Sequence, residues 1–186
     1  NIKIGFKKII LNKFYLGDQI ENFLRYKSFS IEIKVINDGE KILNTGGGIL
    51  NMMKSSDEND YLIFNPDTIW SEKYINEINK MQNLYFSKKL NNILLTVNKK
   101  LSFDKNFLGD FSFKNTNLIK KDINDFIYIG CQILNRNLFN NYKIKNFPIS
   151  NIWKDLLDEN NLNGFQSTND FFHLTNLEIF KKLKDL

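Results

Sequence analysis

The chain has 186 residues, 42% of them hydrophobic and 14% aromatic, which is enough apolar surface for one domain with its own core. No apolar run reaches the roughly 20 residues that cross a bilayer, and a single cysteine, Cys131, excludes a disulfide framework within the chain. The net charge of +5 does not argue for a nucleic-acid polymer as partner: only Arg25 and Arg136 are arginine, and the lysines are interspersed with Asp and Glu.

Asn1-Ile2-Lys3-Ile4-Gly5 carries no signal-peptide pattern, so the expected location is the cytoplasm, with no membrane partner. Ile9-Ile10-Leu11 reads as a buried strand. Leu16, Ile20, Phe23 and Leu24 fall on one face of a helix over Asp18 to Leu24. Ile31 to Ile36 alternates as a half-buried strand does. A turn at Asn37-Asp38-Gly39 leads to Thr45-Gly46-Gly47-Gly48, and a helix over Ile49 to Lys54 follows. Tyr61 to Phe64 and Ile93 to Val97 are strands, separated by a helix over Glu72 to Leu84 with Tyr74, Ile75, Ile78 and Met81 inward. Phe111 to Phe113 and Phe126 to Leu134 read as strands, Ile149 to Glu159 and Leu177 to Leu183 as helices. Cys131 sits inside the apolar Phe126 to Leu134 run, as a buried thiol does. Alternating strands and helices over the first hundred residues predict βαβ units and an α/β fold with a mainly parallel sheet in a single domain.

Four segments have residue types that suit chemistry. In Asn44-Thr45-Gly46-Gly47-Gly48, three glycines before a helix let backbone approach a ligand and leave helix amides exposed, or else simply make a turn. The segment is neither a Walker loop nor a GxGxxG fingerprint. Asp67, in Asn65-Pro66-Asp67, lies just past a strand end, where a carboxylate can hold Mg²⁺ against phosphates or cap a turn. Gly109-Asp110 before a strand is ordinary turn chemistry with room for a binding role. His173, the sole histidine, is either packed among its apolar neighbours or able to meet a metal or phosphate.

In this order the segments resemble the sugar-1-phosphate nucleotidyltransferase family, above all bacterial members of the N-acetylmuramate-1-phosphate uridylyltransferase and mannose-1-phosphate guanylyltransferase-like kind. Asn12 to Ile20 looks like the family's N-x-x-Y-L-x-D-Q-I segment, and Leu43 to Ile49 like its L-x-T-G-G-G-I loop. Asn65 to Trp70 looks like N-x-D-x-x-W, Gly109 to Phe111 like G-D-F, and Gly130 to Leu134 like G-x-Q-I-L. Ile152-Trp153, Leu162 to Phe165 and Phe172-His173 continue the series.

The resemblance implies a three-layer α/β/α fold of nucleotide-diphospho-sugar transferase type. It implies attack of a sugar-1-phosphate on a nucleoside triphosphate, with Mg²⁺, in nucleotide-sugar biosynthesis for the cell wall. Asp67 is then the catalytic, metal-holding carboxylate and His173 a second metal ligand. Asn44, Thr45, Gly46, Gly47, Gly48, Asn65, Gly109 and Asp110 line the substrates. The family's opening glycine-rich loop, with its Arg and Pro-Lys-Pro turn, has no counterpart here, and the Gly-Thr after the C-terminal ligand is replaced by Thr175-Asn176. The expectation is an N-terminally incomplete domain with little transferase activity, an open sheet edge and self-association into a homo-oligomer. The alternative is a non-catalytic sugar-nucleotide binder or degenerate relative.

Overall fold

Ile93, Leu94, Leu95 and Val97 have no polar side to offer solvent, and they form a strand that water does not reach on either face. In the computed structural model, which describes residues 5–184, this strand is β4 (Asn92–Asn98), with six of its seven residues buried. The signal-peptide reading at Asn1 to Ile4 falls outside the described residues. In chain order the elements are β1 (Lys8–Lys13), α1 (Gly17–Arg25), β2 (Glu32–Asn37), α2 (Asn44–Met53), β3 (Asp60–Phe64), α3 (Lys73–Ser87) and β4. They are followed by β5 (Ser112–Lys114), β6 (Asn117–Ile119), β7 (Phe126–Asn135), α4 (Ser150–Asp158), β8 (Gly164–Ser167) and α5 (Leu177–Lys184). The fold is mixed α/β, as expected. Among the described residues no helix is long and apolar enough to cross a membrane.

The chain forms two compact units, one made of residues up to Asn59 with Arg136–Lys154, the other of Asp60–Asn135 with the residues from Asp155 onward. The second unit holds a four-stranded sheet in the order β3-β7-β4-β8. Three strands run one way and β7 runs against its two neighbours. β8 and β6 are additions to the expected elements. Gly164-Phe165-Gln166-Ser167 is too short and too polar to announce itself, and it becomes a strand because β4 offers it a free edge. On α3, Tyr74, Ile78, Met81 and Tyr85 recur at helical spacing, and all four are buried. The Tyr85 hydroxyl donates to Asp60 at 2.5 Å, and the Asn135 amide donates to the same carboxylate at 2.7 Å. Burial raises the Cys131 thiol pKa far above its usual value, so it is a packing group on β7.

The first unit is held differently. β1 and β2 pair in parallel, and none of the residues of β1, β2 or α1 is fully buried. Its core lies instead around α2, where Leu43, Ile49 and Met53 are buried, with Phe139, Phe147 and Ile149 from the later segment. α2 starts at Asn44, so the three glycines form its first turn rather than a loop ahead of it. That corrects the expected helix start, and the cause is visible in the packing. A Cβ at Gly46 would collide with the Phe147 ring, and one at Gly47 with the Lys145 carbonyl oxygen. The glycines remove side chains where the backbone of residues 145–147 crosses the helix.

Because the group facing Gly47 is a carbonyl fixed in the main chain, it cannot swing aside as a side chain does. Gly47→Ala is therefore expected to lower stability by about 1–3 kcal/mol, the usual cost of overpacking. Urea unfolding checks this, and an unchanged midpoint would contradict the close crossing.

Candidate functional site

The turn that carries Asp67 is shaped by a defect in the neighbouring strand. Leu94 pairs with Gln132 and Thr96 with Tyr128, so Ile129, Gly130 and Cys131 of β7 face the single residue Leu95. The bulge turns two carbonyls toward the end of β3. Gly130 accepts from the Asn65 amide at 2.7 Å, and Ile129 accepts from the Thr68 hydroxyl at 2.9 Å. Gly130 sits at φ 85°, and a Cβ there would lie 2.9 Å from Asn65 Cβ and 3.0 Å from Thr68 Oγ1. Only glycine lets the Asn65-Pro66-Asp67-Thr68 turn settle against the strand. Trp70 closes the turn from outside, its indole N–H donating to the Asn65 carbonyl at 3.3 Å.

A second strand-like segment locks Asp67 from the other side. The Ile69 amide donates to the Phe172 carbonyl at 2.9 Å, and the Leu174 amide donates to the Asp67 carbonyl at 2.8 Å. These two bonds straddle His173 and place its Nε2 3.3 Å from Asp67 Oδ2. His173 Nδ1 lies 3.3 Å from Thr175 Oγ1, and the rings of Phe107 and Phe171 pack on the imidazole. The hydrogen bond from His173 holds the Asp67 carboxyl below the usual carboxylate range, against the opposing effect of partial burial. The other oxygen, Oδ1, is buried and has no hydrogen-bond partner.

Asp110 lies at another point of the same unit. Its amide donates to the Phe126 carbonyl at 2.7 Å, and its carboxylate accepts from the Tyr128 amide at 2.9 Å. Gly109 precedes it because a Cβ there would overlap the Asn124 carbonyl. The Asp110 side chain is exposed. Crowding at its carboxyl still raises the pKa, while the Tyr128 amide and Lys120 pull it down. The Tyr128 phenol has its pKa raised chiefly by burial, with the charges of Cys131 and Asp67 as smaller causes. The second unit thus brings together Asn65, Asp67 and His173, while Asp110 is fastened to the backbone at Phe126 and Tyr128.

Asn44 to Gly48 belong to the first unit. The sequence suggests exposed helix amides here, but those of Gly46 and Gly47 are taken: both donate to the Phe147 carbonyl, at 3.0 and 3.1 Å. Asn44 and Thr45 are exposed. Asn44 takes a left-handed conformation at φ 60° and accepts from the Thr45 amide at 2.7 Å; Thr45 Oγ1 accepts from the Ile149 amide at 2.9 Å. Gly48 leaves space for Asn12 and the single carboxylate Asp38 beside it. Asp38 accepts from Asn12 at 2.7 Å and from Asn51 at 3.0 Å.

Among the described residues no three His, Cys, Asp or Glu side chains converge on a metal-sized gap. Magnesium does not require that, since it takes oxygen donors and keeps waters or phosphates for most of its shell. Asp67 fits this use, with one buried acceptor oxygen still unpartnered. His173 fits it poorly, because imidazole suits softer metals and both ring nitrogens already face Asp67 and Thr175. Gly130, Tyr128, Thr68 and Phe107 are parts of the site that sequence reading misses. A lone glycine inside an apolar strand was the available signal for the first.

No protein-family model matches the chain, and no curated protein sequence does. Solved structures match its backbone closely. A UDP-glucose pyrophosphorylase superposes with a TM-score of 0.76 at 11% identity, over 99% of this chain and 82% of that one. HddC from Yersinia pseudotuberculosis gives 0.71 at 17%, over 97% and 79%. The inositol-1-phosphate CTP transferase from T. maritima gives 0.69 at 10%, over 98% and 78%. The chain therefore has the nucleotide-diphospho-sugar transferase fold.

Two outcomes follow from this geometry. Gly39 shares the positive φ of Gly130 but has open space around it. Each alanine substitution meets a conformational cost of about 1–2 kcal/mol. Gly130→Ala adds a collision, worth about 1–3 kcal/mol more. Equal losses for Gly39→Ala and Gly130→Ala in urea unfolding would show that the turn does not press on the bulge.

The second concerns pH. A lowered native pKa means that the folded chain binds this proton less readily than the unfolded chain, so the Asp67–His173 pair stabilises the fold above the unfolded value of about 4. That contribution is lost as pH falls through the lowered native value. The stability gap between wild type and His173→Leu should therefore narrow as pH drops from about 5 to about 3. Parallel pH curves would remove the pair as a source of stability.

Proposed function

We propose that the chain is a sugar-1-phosphate nucleotidyltransferase domain that joins a sugar-1-phosphate to a nucleoside triphosphate and releases pyrophosphate. The observation that carries this reading is Asp67. It lies three residues past β3, one oxygen is engaged by His173, and the other is buried without a partner. Ligands in open α/β sheets gather at this end of the strands. Two solved structures of the same fold support the substrate class: HddC is complexed with GMP-PN, and UDP-glucose pyrophosphorylase with UDP-glucose.

In the reaction, an oxygen of the sugar phosphate forms a bond to the α-phosphorus as the bond from that phosphorus to the bridging oxygen breaks. Pyrophosphate leaves with the electron pair. Bound Mg²⁺ would neutralise the charge on the phosphates. The chain's own work is positioning. Asp67 would hold the metal through Oδ1, while His173 keeps Oδ2 occupied and the carboxylate ionised and aimed. His173 is thus a partner of the carboxylate rather than a metal ligand. In this reading Asn44 and Thr45, both exposed, contribute contacts to the nucleotide, with Gly46, Gly47 and Gly48 keeping that turn free of side chains. Asn65 sets the turn, and Gly109 with Asp110 borders the sugar.

Calorimetry with UTP, GTP and their sugar diphosphates, each with Mg²⁺, tests this on wild type and Asp67→Ala. The expected result is saturable binding of at least one ligand, weakened about tenfold or more in the variant, as for a lost contact to a charged group. Pyrophosphate release on adding sugar-1-phosphate completes the case. Binding without release would make the chain a sugar-nucleotide binder instead, and no binding to any of them would end the proposal.

A further inference from the structure

The segment that delivers His173 is itself fastened at its start, by a helix that no part of the proposed reaction uses. β8 ends at Ser167, and the chain turns through Thr168, Asn169 and Asp170 before reaching Phe171. Glu77 of α3 reaches into this turn with both carboxylate oxygens. It accepts from the buried Ser167 hydroxyl at 2.5 Å, from the Thr168 amide at 2.8 Å and from the Thr168 hydroxyl at 3.1 Å. Ser167 Oγ in turn accepts from the Asn169 amide at 3.1 Å. One helical turn away, at i−3, the Tyr74 hydroxyl donates to the Asp170 carbonyl at 2.7 Å. Ser167, Thr168 and Asp170 are thus pinned to one face of α3, with Asn169 tied to Ser167 between them. The next residue, Phe171, is fully packed, and its amide donates to the Leu101 carbonyl at 2.9 Å. His173 follows two residues later.

A carboxylate that accepts three hydrogen bonds in a turn does more than fill space. It sets where the chain leaves the sheet, and so the register in which Phe172 and Leu174 meet the Asp67 turn. Ion pairing does not explain Glu77, because its partners are hydroxyls and an amide. We propose that Glu77, assisted by Tyr74, is a positioning residue that fixes the Asp67–His173 pair. Its bearing on catalysis rests on the nucleotidyltransferase reading of Asp67; its control of the pair does not.

The sole histidine provides a direct readout. In untagged chain, the ring Cε1–Hε1 signal in a ¹H–¹³C spectrum belongs to His173 alone. At one fixed pH and without metal, Glu77→Gln should shift this signal or split it into more than one. Tyr74→Phe, which deletes only the hydroxyl bond to Asp170, should move it in the same way and remains informative should Glu77→Gln fail to fold. Tyr85→Phe is the matched control. It removes a buried hydroxyl from the same helix, where the partner is Asp60, and should cost stability with the His173 signal unmoved. A wild-type signal in both Glu77→Gln and Tyr74→Phe overturns the proposal, as does an equal shift in Tyr85→Phe. A second arm adds UTP or GTP with Mg²⁺ to wild type. If the signal ignores both while Glu77→Gln still perturbs it, the nucleotidyltransferase reading fails and the positioning role stands. If it responds in wild type and the response is lost in Glu77→Gln, both hold.

Discussion

The arrangement of the second unit depends on one irregularity, the bulge at Ile129-Gly130-Cys131. A regular β7 would send successive carbonyls alternately to β3 and β4. At the bulge two successive carbonyls, Ile129 and Gly130, both meet the turn after β3. The turn is then held from below by β7 and from the side by Phe172 and Leu174, so the Asp67 backbone has little freedom left. An unpaired ladder carbonyl inside a protein costs about 1–3 kcal/mol. The turn supplies donors to the bulge, and the bulge supplies acceptors that help to order the turn.

The glycines of α2 answer a different constraint. A helix N-terminus leaves amides without internal partners, and these often meet anions. Here the Phe147 carbonyl reaches two of them because Gly46 and Gly47 present no side chain in the way. The same absence of Cβ atoms that suits a phosphate also suits a crossing backbone. Local composition does not distinguish the two, which is why a glycine run is weak evidence for a ligand and why Asn44 and Thr45, the exposed members, matter more.

Much of the architecture was legible in the chain. Of the expected inward face, Tyr74, Ile78 and Met81 are buried on α3, Ile75 is half-buried, and Tyr85, one residue past the expected helix end, joins them; the apolar residues around Leu94 become a central strand. β6 and β8 were not legible, since Asn117–Ile119 and Gly164–Ser167 are strands only through their neighbours. The direction of β7 was equally hidden, because an apolar run reads alike in both directions. At the site, Asp67 stood out by its place after a strand. Its pairing with His173 did not, as nothing local links positions so far apart, and neither did the conversion of Gly130 from a strand residue into a bulge.

The bonds that seat His173 and its turn join distant stretches of chain, as Tyr74 and Asp170 show at 96 residues apart. Closing so long a loop is entropically costly and comes after local structure. During synthesis α3 is complete long before the residues it will clasp exist, and the turn bearing Asp67 has only β7 for support when that strand arrives. The partner of the carboxylate is therefore the last part of the pair to be synthesised. The site thus draws on both ends of the second unit's sequence, and it is complete only when the residues after β8 have packed against those that precede β4.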